Sequence, residues 1–147
     1  MKPTLIAHSD GTHFGLQFAA LPWRRAPALE VMLITSRETK RWVIPKGWPM
    51  QGRSPADAAA QEAFEEAGLK GPVADEMIGV YHYDKGLKDG GLLRCRVEVY
   101  SMQVESQAST WPEQKQRETR WFPGAVAAAR VYEPELQDLI RRFAEKR

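Results

Sequence analysis

Residues 47–69, GWPMQGRSPADAAAQEAFEEAGL, hold the clearest local signal in this 147-residue chain. Ser54 is a good N-cap, Pro55 suits the first helical position and Asp57 stands three residues after the cap. Alanines carry the helix to Ala67, and Gly68 is a natural C-terminal stop. At about 100° per residue, Ala56, Ala60, Ala63, Phe64 and Ala67 gather on one side, read as the core face. Glu62, Glu65 and Glu66 gather roughly 150° away. Their i, i+3, i+4 spacing brings three like charges together, at a cost of about 0.2–0.5 kcal/mol per pair. They also lie in the last turns, where the helix dipole disfavours negative charge, and the helix contains no Lys or Arg. A local conflict of this kind often serves a site. Convergent carboxylates suit a hard divalent cation held through oxygen. The alternative is a solvated acidic face paired with basic residues from elsewhere in the chain.

Charge is laid out in opposed blocks around this helix. Between Arg37 and Arg53 the chain carries Arg37, Lys40, Arg41, Lys46 and Arg53 against Glu38, a balance of +4. Residues 54–69 carry Asp57, Glu62, Glu65 and Glu66 and no basic residue, a balance of −4. A basic, glycine-containing loop running into an acidic helix suits a phosphate or pyrophosphate ligand and its metal ion.

The rest of the chain bounds the answer. Its length and its 43% hydrophobic and 27% charged residues predict one globular domain over residues 1–147. No apolar run is long enough to span a membrane, and the first residues lack the apolar core of a secretory leader, so a cytoplasmic location is expected. Cys95 alone supports neither an internal disulfide nor a cysteine metal cluster. The net charge of +2, with no extended basic stripe, argues against a nucleic-acid partner. Strands are predicted over 14–24, 28–36, 41–44, 73–83, 92–104 and 119–122, with a glycine-rich turn at 84–91 and a polar loop at 105–118. Short helices are predicted near 124–130 and 134–145, the second burying Leu136, Leu139, Ile140 and Phe143. Most neighbouring strands are joined by turns, which favours an α+β or layered α/β/α domain. Arg94 and Arg96 share one strand face, lining a cleft or facing water. His82 has no metal-ligand spacing, and Trp48 either stacks on a base or packs.

The segment from Gly47 to Leu69 resembles the Nudix box, G-x5-E-x7-R-E-U-x-E-E-x-G-U, where U is a bulky aliphatic residue. Gly47, Glu62, Glu65, Glu66, Gly68 and Leu69 match in register. Arg53 stands where the signature has Glu, Gln61 where it has Arg, and Ala63 where it has a larger aliphatic residue. WVIPKGW before the box and TRWFPGAVAAA near the end look like the diphosphoinositol and diadenosine polyphosphate phosphohydrolase branch.

The resemblance implies an α/β/α sandwich around a mixed sheet. It implies a hydrolase that cleaves a pyrophosphate bond in a nucleoside-diphosphate-linked or polyphosphorylated small molecule, using Mg²⁺ or Mn²⁺. Glu62, Glu65 and Glu66 would be catalytic and hold the metal with the backbone carbonyl of Gly47. Lys46, Arg53, Lys40 and Arg41 would bind substrate phosphates. Glu113 and Glu118 are candidates for an extra acid. The implied partner is a phosphorylated small molecule; no membrane partner is expected, the modest charge disfavours nucleic acid, and the expected state is a monomer or homodimer. The alternative function, prompted by Arg53 and Gln61, is a weakened module that binds polyphosphates without turnover.

Overall fold

Apolar runs on either side of the Gly47 loop build the sheet from which the site is hung. The structure, a computed structural model, describes residues 3–146; Met1, Lys2 and Arg147, which the expectation of one domain over 1–147 also takes in, lie outside the described residues. In chain order the first strands are β1 (Leu5–Ala7), β2 (His13–Arg25), β3 (Leu29–Thr35), β4 (Trp42–Val43) and β5 (Lys46–Gly47). Helix α1 (Pro55–Ala67) follows, then β6 (Leu69–Lys70), β7 (Val73–Gly86), β8 (Leu92–Gln103), β9 (Ser106–Gln107) and β10 (Thr119–Pro123). The described chain closes with α2 (Gly124–Arg130) and α3 (Pro134–Glu145).

The main sheet runs β10–β3–β2–β8–β7, with β1 and β5 paired to β2 and β4 paired to β3. β2 and β8 run parallel while β3 lies antiparallel to both β2 and β10, so the sheet is mixed. Along β2, Ala19 and Leu21 enter one core with α2 and α3, while Phe18 and Ala20 enter another with α1. Burial on both faces is why β3 reads as a nearly continuous apolar run. Leu136, Leu139, Ile140 and Phe143 of α3 are all buried, as their spacing predicts. A mixed sheet flanked by three helices is the α/β/α sandwich that the resemblance implies.

Two features place the site. β2 pairs with β3 over Trp23–Arg25 but with β5 at Phe18 and Ala19, so Lys46 and Gly47 are seated against the middle of β2. Helix α1 is then fixed at both ends. The Ser54 hydroxyl accepts the Asp57 N–H at 3.1 Å, and Gly68 closes the helix at φ +70°.

The core face of α1 is displaced from its predicted place. Ala56, Ala63 and Ala67 are buried as expected, but Ala60 and Phe64 are only half-buried. Ala58, Ala59, Glu62 and Glu66 are buried in addition. The physical reason is a second covering layer. Gly47 of β5 packs directly on the Glu62 side chain, and the segment before β10 closes over the other side through Glu113 and Arg117.

Candidate active site

Glu62 and Glu66 lie one helical turn apart, at 9% and 5% exposure. Each carboxyl is part of the other's electrostatic surroundings. Burial pushes both above the usual carboxylate range, Glu66 the further, with the Arg117 and Lys46 charges pulling Glu66 back down. Gly47 is required beside them, because a Cβ there would run into the Glu62 carboxyl. Lys46, half-buried next to it, has its ammonium pushed down by burial against the opposing pull of Glu66 and Glu133. Its Nζ lies 4.9 Å from the centre of the Tyr83 ring.

Arg117 is the cation that the helix lacks. Its Nη2 is 3.7 Å from Glu66 Oε1, its Nε donates to Glu113 Oε1 at 2.9 Å, and its Nη1 donates to the Thr35 carbonyl at 3.2 Å. Sequence reasoning missed Arg117 because it sits in a polar loop without periodicity. Its signal was the i, i+4 pairing with Glu113 and the unanswered charge on α1. Glu113 is also tied to the helix by its backbone, since its N–H donates to the Glu65 carbonyl at 2.9 Å.

Glu65 is half-buried and turns to a different partner: Gln61 Nε2 donates to its Oε2 at 2.7 Å. Arg53 Nη1 in turn donates to Gln61 Oε1 at 3.2 Å. Among the described residues no three His, Cys, Asp or Glu side chains close into a ready-made metal cage.

Other expected site residues lie elsewhere. Lys40 and Arg41 belong to the turn between β3 and β4, and Arg41 stacks on Tyr132 at 4.1 Å. Glu118 faces outward at 59% side-chain exposure and pairs with Arg120. Arg94 and Arg96 are answered by Asp84 and Glu98. His82 contacts Glu135 of α3 through its Nδ1 at 3.1 Å. Cys95 is buried and its thiol is pushed up by burial.

Residues 16–143 match the NUDIX domain. The chain belongs to the Nudix family. It is 33% identical over 97 residues to Nudix hydrolase 12, mitochondrial, of Arabidopsis thaliana, a match covering 64% of this chain and 48% of that protein. It is 30% identical over 124 residues to the human diphosphoinositol polyphosphate phosphohydrolase 3-beta, covering 82% and 71% of the two chains. The chain thus spans about half the length of the Arabidopsis relative. A NUDIX hydrolase from Nitrosomonas europaea superposes with a TM-score of 0.67 at 18% identity, over 89% of this chain and 88% of that one, which shows a shared Nudix fold. No helix among the described residues is long and apolar enough to cross a membrane.

Proposed function

We propose that this Nudix chain is a divalent-cation-dependent pyrophosphohydrolase acting on a polyphosphorylated small molecule of the dinucleoside polyphosphate or diphosphoinositol polyphosphate type. The observation that carries the reading is the buried Glu62–Glu66 pair, packed on Gly47 and flanked by Lys46 and Arg117. Two carboxylates and a half-buried ammonium gathered at this depth are costly unless a ligand answers them. The donors are all oxygen, which fits Mg²⁺ or Mn²⁺. The raised carboxyls fit too, since cation binding releases protons from its ligands. The human relative's name supports the substrate class.

Glu62, Glu65 and Glu66, with the Gly47 carbonyl, would hold the cation. When bound, it neutralises pyrophosphate charge and lowers the pKa of a water molecule. Lys46 and Arg117 orient the non-bridging oxygens and oppose charge building on the leaving phosphate. A water oxygen bonds to one phosphorus as the bridging P–O bond breaks, and the water proton passes to a carboxylate. Glu113 is the acid outside the helix that we assign to that proton; its tie to Arg117 at 2.9 Å and its backbone bond to Glu65 support the choice.

The test is phosphate or nucleotide release from diadenosine polyphosphates, nucleotide sugars, nucleoside triphosphates and diphosphoinositol polyphosphates, with Mg²⁺, with Mn²⁺ and with chelator. Metal-dependent turnover of a member of the panel is expected. Glu66→Gln should cost more than the 10- to 100-fold typical of residues that only support a metal ligand, so more than about 100-fold. Tight binding of a polyphosphate by folded protein with no turnover would replace this reading with that of a binding module.

A further inference from the structure

The two charged-position departures from the Nudix signature lie on one hydrogen-bonded chain. Arg53 Nη1 donates to Gln61 Oε1 at 3.2 Å, and Gln61 Nε2 donates to Glu65 Oε2 at 2.7 Å. A glutamine amide has one accepting end and one donating end, so these contacts fix which way round it sits. Its carbonyl meets the guanidinium and its NH₂ meets the carboxylate. The guanidinium polarises the amide, which strengthens the short bond to Glu65. Gln61 and Glu65 are also i, i+4 neighbours on α1, so the second link needs no distortion of the helix. Arg117 meets Glu66, Glu113 and the Thr35 carbonyl, so the Gln61 amide is the side-chain partner seen at Glu65. Arg53 itself lines a cavity of about 360 Å³ with Asp57, Phe64 and Lys70.

We propose that Arg53 and Gln61 act together to hold the Glu65 carboxylate, in a stretch where the signature has a single arginine. Gln61 is a positioning residue that fixes the Glu65 carboxylate, and Arg53 supplies the positive charge through it. The arginine stands in the loop, where the signature has an acid, and the helix keeps only a neutral relay. This inference rests on the reading of Glu65 as a metal ligand.

Mn²⁺ binding without substrate tests it, measured by calorimetry and by the paramagnetic resonance signal of free Mn²⁺. Gln61→Leu should weaken affinity about tenfold, and the more exposed Arg53→Ala about threefold. Arg53→Ala should then have no effect in the Gln61→Leu background, because the link has already been cut. The charge-swapped double variant, Arg53→Glu with Gln61→Arg, should restore affinity to within about twofold, by direct pairing at i, i+4. In the nuclear resonance spectrum the Gln61 side-chain NH₂ pair should shift in both Arg53→Ala and Glu65→Gln. Additive losses from Arg53→Ala and Gln61→Leu would overturn the relay. So would unchanged affinity in Gln61→Leu when Glu65→Gln weakens binding, and there the ligand reading of Glu65 would survive. Unchanged affinity in Glu65→Gln would remove both.

Discussion

At Glu66 and Glu62, burial is the largest influence and raises both carboxyls, and the sign of the pH dependence follows. The folded pair holds a proton more tightly than the unfolded chain, whose carboxyls keep their ordinary value of 4.5. Metal-free protein therefore binds more protons folded than unfolded above that value, and its stability should fall as pH rises through the window from there to the raised folded values. Urea unfolding in chelator across this window checks it. The downward slope should be reduced in Glu66→Gln, and an identical slope in both proteins would refute the assignment. Arg117 provides the complementary test. It is 10% exposed, and removing one partner of a buried pair strands the other charge. Arg117→Met should cost about 3 kcal/mol at neutral pH. The loss should shrink in mild acid, where the carboxyls it neutralises are protonated. An equal loss at both pH values would show that Arg117 serves the Thr35 carbonyl and packing instead.

Helix α1 is the element most legible in the sequence, because every signal that defines it is local. Ser54, Pro55 and Gly68 mark its ends, and Pro55–Ala67 is what forms. Gly68 combines two demands: φ is +70°, and a Cβ would strike the Trp111 ring. Gly68→Ala should cost about 1–3 kcal/mol from backbone strain alone, with the Trp111 clash added. Thermal unfolding beside a surface control such as Ala74→Gly would show it. The covered face of the same helix is less legible. Periodicity ranks faces by side-chain polarity, so it places Glu62 and Glu66 away from the core. They are buried because distant segments close over them: β5, which pairs with β2, and the loop carrying Glu113 and Arg117. Long-range closure leaves no periodic trace. Two-residue strands such as β5, β6 and β9 escape for the same reason, since pairing partners define them and composition does not.

On the scale of the whole molecule, the carboxylates join parts of the chain that are far apart in sequence. Lys46 comes from the sheet, Glu66 from α1 and Arg117 from the segment leading into β10. An unfolded chain cannot hold these groups together, so a cation bound among them binds the folded state and stabilises it by mass action. At a hundred times the dissociation constant the gain is about 2.7 kcal/mol. A chain of this size shifts its midpoint by roughly 2–4 °C per kcal/mol, so saturating Mg²⁺ or Mn²⁺ should raise Tm by about 5–10 °C. Chelator should reverse the rise. The shift should grow with pH, because carboxyls raised by burial must be deprotonated to hold the cation. Glu66→Gln should retain the fold but lose most of the shift. A rise of equal size in that variant would place the stabilising ion elsewhere on the surface, and the opposed blocks of charge around α1 would then be neutralising each other without a metal between them.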